Sequence, residues 1–570
     1  KVDESIKSAS NKKEFIKESD IKNHESIWIC EFCDHHNKIS VEPEELPKKD
    51  DLFYMIQSAD QQNLQTTTPL SNDEDISVIF CIDFSGSMCV TTEIQTNEGL
   101  KHAFSQEEWD MLKDFIEGGA SQLLPNQKQG TKWVSRKQCV LAAIESQLEE
   151  IKKVHPNRKI GIVAFNNEVI IFGDGSGDPE IITGDKLNSK DVCLSIGAEK
   201  YESLLRAPIT ESGKRLIEKL TSLKENGKTA LGPALAAALG LASSGKPGST
   251  VVLCTDGLAN VGVGELDSLK NDQFYEEMGK FAKEKGISVN IITIKGEGCR
   301  MERLGLIADM TQGKVTRVNP EDIAKDFANI LKEEVVATQV KVRVRIHPRL
   351  KFRRENKENV FEKGSLCEKE IGNVTLKTAL TFEYETKSDI ELAKEGLNMV
   401  NLQEFPMQAH VYYTSPEGHK LLRTITMKLK GTDNLEAAQK EANVRILATR
   451  AAQITSESAS RGEAIYAKKL NSKWDNYMNK EVLESNMSNA KYLEDLNFCN
   501  ENNEGLKKEL NKKIKRENKK GLWGKFVDKL GFQSKSEENE FEKEAKNLSS
   551  GSDDEADTKF YSQKKVNLIQ

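Results

Sequence analysis

Three oxygen-bearing side chains stand at alternate positions in Asp83-Phe84-Ser85-Gly86-Ser87, directly after the apolar run Ile76–Ile82. A short continuous apolar run closed by a Ser/Gly loop reads as a buried strand that hands its next residues to that loop. One carboxylate and two hydroxyls so spaced can all face a single hard cation. Mg²⁺ takes six oxygen ligands at about 2.1 Å and keeps several waters, so one loop does not complete its shell. Two further loops offer the same chemistry. Thr229 lies in Gly227-Lys228-Thr229-Ala230-Leu231-Gly232, and Asp256 closes a second apolar run in Leu253-Cys254-Thr255-Asp256-Gly257. Asp83, Ser85, Ser87, Thr229 and Asp256 are therefore the candidate metal residues, with Mg²⁺ favoured over Mn²⁺ and Ca²⁺ by ligand hardness and abundance.

Cys30-x-x-Cys33 carries a different chemistry. A structural Zn²⁺ needs four ligands, usually two such pairs, and this is half of one. No cysteine precedes Cys30 and the next is Cys81, while His24, His35 and His36 are nearby. The chain begins at Lys1 rather than Met, and the simplest completion of the zinc set is a pair upstream of it. An unmetallated cysteine pair is the alternative reading.

Other motifs do less. Gly227-Lys228-Thr229 looks like the end of a phosphate-binding loop, but Ser222 stands where that motif needs its first glycine, and a helix precedes it. The eight histidines pair with no Ser or Cys nucleophile in any recognisable way, so no catalytic constellation is expected.

The elements that must position the metal residues follow from periodicity. Apolar strand-like runs at 76–83, 159–165, 250–254, 287–294 and 314–318 alternate with helical spacings at 132–154, 211–223, 231–242, 272–285, 301–310 and 320–335. Strands alternating with helices imply crossover connections and a mostly parallel sheet covered on both faces. Residues 76–336 thus read as a doubly wound α/β domain, with 168–172 a hairpin partner of 159–165. In such sheets ligands bind at the carboxyl ends of the strands, where Asp83 and Asp256 fall. Residues 1–75 read as a polar arm with the half zinc motif and a connector. Alternating runs at 340–347, 373–384, 407–414 and 421–429 give a small antiparallel β-sandwich over 337–432. A helical domain follows over 433–500, then a charged, largely disordered tail over 501–570.

Asp-x-Ser-x-Ser, a Thr after a Gly-rich loop and a strand ending in Thr-Asp-Gly resemble the von Willebrand factor A family over about residues 76–336. That resemblance implies a metal-ion-dependent adhesion site in which Asp83, Ser85, Ser87 and Thr229 hold the metal directly, or with Asp256 through water. It also implies that a protein partner offers an Asp or Glu side chain to the open position. The chain departs from simple A domains in one place: about forty residues, 90–131, separate the Ser loop from the first helix. Trp109 lies in an amphipathic stretch of that insertion and is a candidate partner contact.

Trp28-Ile29-Cys30-Glu31-Phe32-Cys33 is similar to the zinc ribbon of inner-shell subunits of the COPII vesicle coat. In those proteins a ribbon precedes an A-type trunk, a β-sandwich and a helical domain, the order read here. A RING-type finger ending at Cys30 and Cys33 is the other completion, as in A-domain proteins that resemble ubiquitin ligases. In the tail, Leu522, Trp523, Phe526, Val527 and Leu530 share one helical face after a basic run, so Trp523 and Phe526 are candidate contacts. Residues 521–532 read either as a short helix that packs back on its own domain or as one that touches a partner or an anionic membrane surface weakly.

Composition bounds the function classes. In 570 residues, 37% are hydrophobic and 30% charged, and 82 basic against 90 acidic residues give a net charge of −8. Nothing there shows the basic face of a nucleic-acid binder, and no run approaches the roughly 18 apolar residues of a membrane span. The ten cysteines are scattered, with Cys81 and Cys254 inside apolar runs, which favours a reducing, intracellular and cytoplasmic setting. The expectation is a non-enzymatic scaffold that binds an acidic protein partner through Mg²⁺. A substrate-recruiting part of a RING-type ubiquitin ligase and a coat-like trafficking component are the alternatives.

Overall fold

The computed structural model describes residues 26–33, 35–39, 49–56, 76–94, 132–256, 259–265, 272–294, 301–319, 328, 335–397, 404–416, 418–486 and 489–530, with backbone alone from 516 onward. The amphipathic stretch around Trp109 and most of the helix expected at 320–335 lie outside the described residues.

A hairpin of β1 (Ser26–Ile29) and β2 (His36–Ile39) opens the described chain, followed by β3 (Asp51–Met55). β4 (Ser77–Asp83) is buried at every position, as a strand covered on both faces must be. β5 (Thr91–Ile94) and β6 (Lys132–Ser135) pair antiparallel and form the stem of the insertion. The helix expected from Lys132 therefore starts later. Trp133 and Val134 favour an extended backbone, and a Ser135/Gln138 capping box sets the true start of α1 (Arg136–Val154).

The doubly wound sheet continues with β7 (Lys159–Phe165), β8 (Val169–Gly173) and β9 (Glu180–Ile182). Then come α2 (Lys190–Glu199), α3 (Tyr201–Leu204), α4 (Ile209–Ser222) and α5 (Leu231–Ser243). β10 (Thr250–Thr255), α6 (Asp272–Glu284), β11 (Ser288–Ile294), α7 (Met301–Met310) and β12 (Val315–Val318) complete it. Its strand order is β12-β11-β10-β4-β7-β8-β9, parallel from β12 to β7 and antiparallel over the last two pairings. Ile79 and Cys81 pack with α5 on one face of β4, while Phe80 and Ile82 pack with α1 and α4 on the other. This is the expected α/β fold of the A type.

α2 has no counterpart among the expected helices, and it explains the small residues of α5. A Cβ on Gly197 would stand 2.1 Å from the Ala237 carbonyl oxygen, and one on Gly240 would stand 2.1 Å from that of Leu194. The two helices therefore touch backbone to backbone, and α5 is buried from Leu231 to Ala242.

The second unit is built on β13 (Val335–Ile346), β14 (Leu350–Arg353), β15 (Val360–Phe361), β16 (Leu366–Thr375) and β17 (Glu383–Thr386). The short α8 (Asp389–Lys394), β18 (Glu404–Thr414) and β19 (Lys420–Lys430) finish it. The run expected as one strand over 373–384 divides between β16 and β17, because Thr375 and Thr378 close a turn on each other. The larger sheet has the order β15-β16-β13-β18-β19-β3, and β14 and β17 form a ribbon beside it. β3 is thus an edge strand of this unit rather than part of a connector. Its Leu52 sits opposite Thr424, and Asp51 meets Arg423 at 2.7 Å.

Helices α9 (Leu435–Lys440), α10 (Val444–Ser460) and α11 (Ala464–Asn476) lead through a π-helical turn (Tyr477–Val482) into α12 (Leu483–Asn486) and α13 (Ala490–Leu530). The helical unit does not stop near residue 500. Leu506 and Leu510 of α13 are buried against Ala459 and Ala467, which carries the helix into the segment expected to be a disordered tail. Among the described residues, no helix is long and apolar enough to cross a membrane.

Candidate metal centre

β4 is the first strand of the doubly wound sheet. The chain leaves it toward β7 on one side and reaches β10 on the other, so the sheet reverses its winding between β4 and β10. The carboxyl ends of strands on either side of such a reversal diverge and leave a crevice. Asp83 ends β4 there, and Asp256 follows β10 there. The register places Cys254 beside Ile82, which brings Thr255 level with Asp83.

Asp83 is fully buried. Its Oδ1 accepts from the Ser85 backbone N–H at 2.8 Å, and its Oδ2 accepts from the Thr255 hydroxyl at 2.5 Å. Burial and the neighbouring Asp256 carboxylate push the Asp83 carboxyl up to about 6, against the hydrogen bonds from Ser85 and Thr255, which pull it down. Two buried carboxylates side by side repel one another, and a cation between them relieves that repulsion.

The Ser loop folds as a single 3₁₀ turn (Gly86–Cys89), which turns Ser85 and Ser87 to the same side. Their hydroxyl oxygens are 3.0 Å apart. The Ser87 hydroxyl donates to Asp256 Oδ1 at 2.6 Å. Adjacent oxygens of an octahedral Mg²⁺ shell with bonds of about 2.1 Å lie about 3.0 Å apart, so this spacing suits the ion.

Thr229 is brought in by its own loop. The Gly86 N–H donates to the Gly227 carbonyl at 3.1 Å, and the Asn226 N–H donates to the Phe84 carbonyl at 3.1 Å. Asn260 then clamps Thr229 from the other side, its Oδ1 accepting the Thr229 N–H at 2.9 Å while its own N–H donates to the Thr229 carbonyl at 3.1 Å. Gly227 has φ of +72°, and a Cβ there would meet Asn167 Oδ1 at 2.4 Å, so the loop needs glycine at this point. Thr229 is buried, Ser87 is half-buried, and Cys89, Val90 and Lys228 are exposed around them. Asp83, Ser85, Ser87 and Asp256 are thus joined by hydrogen bonds at the strand ends, and the loop that carries Thr229 is tied to the Ser loop through Gly86 and Gly227.

Arg136 is the residue that sequence reasoning missed. It is the first residue of α1, and its Nη1 lies 2.6 Å from Asp256 Oδ2 and 3.4 Å from the Ser87 carbonyl. A hydrogen bond from its N–H to the Val90 carbonyl, 3.1 Å long, ties it across the insertion stem. The signal that flags it, a cation in a first turn where cations are disfavoured unless repaid, appears only once the Ser135/Gln138 box moves the helix start from Lys132.

The zinc motif is placed less completely. Cys30 and Cys33 stand on the knuckle between β1 and β2, closed by Cys30 N–H donating to the His35 carbonyl at 2.9 Å. Burial works against the Cys30 thiolate, yet the backbone N–H groups of Phe32 and Cys33 and the Cys33 side chain hold its pKa below the ordinary thiol value. The knuckle leans on the β-sheet unit through Phe32, whose ring lies 6.0 Å from the Arg345 guanidinium. It offers two of the four donors a structural Zn²⁺ needs. Among the described residues, no group of three or more His, Cys, Asp or Glu gathers to complete it. The Asp83 site differs in kind, since hydroxyls make up most of its donors. Trp109 lies outside the described residues. Trp523 and Phe526 lie on α13, with only their backbone described.

No family model matches the chain. Circularly permutated Ras protein 1 of Dictyostelium discoideum is 30% identical to it over 481 residues, which is 81% of this chain and 53% of that protein. The chain therefore spans about half the length of that curated relative. The crystal structure of the human COPII-coat protein Sec24c is similar in fold, at a TM-score of 0.51 and 13% identity, over 96% of this chain and 66% of that one. The VWA domain of SpRpn10 aligns with 45% of this chain and 94% of its own length, at a TM-score of 0.24 and 10% identity.

Proposed function

We propose that the chain is a non-enzymatic scaffold that holds an acidic protein partner through Mg²⁺ bound at Asp83, Ser85, Ser87, Thr229 and Asp256. The observation that carries this reading is the convergence of hydroxyl and carboxylate oxygens from separate loops, with Ser85 and Ser87 3.0 Å apart, at the reversal point of the sheet. Hydroxyls and water add no charge to such a shell, and its open position still takes a hard oxygen ligand, a place an incoming carboxylate suits. When bound, the metal supplies that position. The protein's own share is to hold the loops through Asn260, Thr255 and the Gly86–Gly227 contact, with Ser87 half-buried among them.

A second reading is favoured by a separate observation. The likeness in fold to Sec24c extends over 96% of the chain, which supports one shared order of units rather than a likeness of the A-type domain alone. A trafficking-coat-like scaffold fits that order, and the acidic partner would then be another component of such an assembly. The relative in Dictyostelium is named for a Ras protein, and we extend the proposal to a scaffold that works alongside a Ras-type switch. Zn²⁺ at Cys30 and Cys33, completed by donors outside the described residues, belongs to the same proposal, as does an intracellular location.

Recovery of partners on the immobilised chain from cell extract tests the first reading. The main partner is expected to be lost in EDTA, to return on adding Mg²⁺, and to be absent on the Ser87→Ala chain. A partner retained equally in EDTA and on Ser87→Ala would remove the metal from the mechanism.

A further inference from the structure

The metal site contains a built-in cation of its own. Arg136 Nη1 sits 2.6 Å from Asp256 Oδ2, with the two side chains 10% and 0% exposed, so the pair is sheltered from the screening that weakens surface ion pairs. The same Asp256 accepts the Ser87 hydroxyl on its other oxygen. One carboxylate is therefore shared between the guanidinium and the metal-facing hydroxyl. The neighbouring Lys137 is turned away, to the Leu223 carbonyl and to Glu225, and Lys228 is exposed at the rim. Among the described residues, Arg136 is the cation held inside.

We propose that Arg136 determines the ligand specificity of this metal site, an inference that rests on the reading of the crevice as a Mg²⁺ site. Asp83 and Asp256 alone would cancel the charge of a divalent ion. With the guanidinium in the same cage, an occupied site keeps one unit of positive charge, and only an anionic ligand closes it. The ligand class is a carboxylate, as on an Asp or Glu side chain. A neutral amide or hydroxyl leaves the charge uncompensated. Arg136 also competes with the metal for Asp256, which makes metal binding weaker alone and stronger with the anion present. The insertion stem makes this possible, because the Val90 carbonyl fixes the Arg136 backbone at the edge of the crevice.

The test is calorimetric titration of Mg²⁺ into the full chain, with and without acetate as the probe anion, for wild type, Arg136→Gln and Arg136→Lys. In the wild type, acetate is expected to tighten Mg²⁺ binding several-fold, since coupling between two ligands is reciprocal. Arg136→Gln is expected to bind Mg²⁺ at least about tenfold more tightly without acetate, because a like charge is gone from a site only a few ångströms away. Its acetate coupling should fall toward one. Arg136→Lys keeps the charge and should follow the wild type. Equal Mg²⁺ affinity and equal acetate coupling in wild type and Arg136→Gln would overturn the inference while leaving the metal site standing. So would a Lys variant that behaves like Gln. Should the Gln variant not fold, a wild type whose Mg²⁺ affinity ignores acetate overturns the inference by itself. Absence of Mg²⁺ binding in all three chains would instead sink the metal site, and this inference with it.

Discussion

Asp83→Asn is expected to lower Mg²⁺ affinity by more than about a hundredfold while leaving the metal-free fold at least as stable as the wild type. Loss of groups that merely orient a ligand already costs roughly 10- to 100-fold in metal affinity, and Asp83 is proposed to bind the ion itself. Its carboxylate lies at the centre of the crevice, fully buried, with Asp256 beside it. The stability half of the expectation has a separate cause. Without metal, Asp83 is a buried acid next to a second acid, and its pKa stands raised for that reason. The amide keeps the shape, still accepts from the Ser85 N–H, and can donate to the Thr255 hydroxyl, which is free to rotate. It removes the buried like-charge contact. Calorimetry for Mg²⁺ and thermal unfolding in EDTA together check the result. A variant that keeps wild-type Mg²⁺ affinity, or that unfolds well below the wild type in EDTA, would show that Asp83 serves the fold rather than the metal.

The second large effect lies at the seam between the β-sheet unit and the helices. Glu383 of β17 accepts from Arg450 Nε of α10 at 2.8 Å and from Arg354 at 3.2 Å, with Arg353 3.5 Å away. Beside it Gln453 takes the Thr381 hydroxyl at 2.6 Å and donates to the Ala379 carbonyl at 3.0 Å. Arg450 is buried. Glu383→Ala strands that guanidinium among other cations, and breaking a buried pair by removing one partner costs about 3–5 kcal/mol. Because Glu383 retains some exposure, the lower end is expected, as an earlier urea transition for the helical unit. Glu383→Gln, which can still accept a hydrogen bond, should lose less. A transition unmoved in Glu383→Ala would mean that apolar packing alone joins the two units.

How much of the molecule is legible in the chain differs from place to place. The doubly wound sheet is legible because its strands are buried on both faces and read as unbroken apolar runs, such as Val78–Ile82. The grouping of Asp83, Ser85, Ser87 and Asp256 is legible because carboxylates and hydroxyls stand in loops that follow strands of one sheet. β3 is hidden, since an edge strand paired on one side carries no such run, and Phe53, Tyr54 and Met55 stay exposed. α2 is hidden because its close contact with α5 is made by glycines, Gly197 and Gly240, whose meaning appears only once the partner helix is in place. The extent of α13 is obscured for a related reason. Its segment beyond residue 500 is rich in charge, and among the side chains described there the buried apolar ones are Leu506 and Leu510. Arg136 is the most instructive omission. It sits fifty-three positions from Asp83 in sequence, after a long insertion, and no local pattern links an arginine there to a metal loop. Its odd place at a helix start shows only once the Ser135 cap is in view.

Loops far apart in sequence are proposed to make one cation site with a position left open for a carboxylate. Anomalous diffraction from crystals of the chain grown with Mn²⁺ and acetate tests it most directly, because Mn²⁺ prefers the same oxygen ligands and scatters strongly. A single strong peak is expected in the crevice bounded by Asp83, Ser85, Ser87, Thr229 and Asp256, with an acetate oxygen on its open side. A crevice without a peak at saturating Mn²⁺, or with Arg136 occupying the position of the ion, would contradict it.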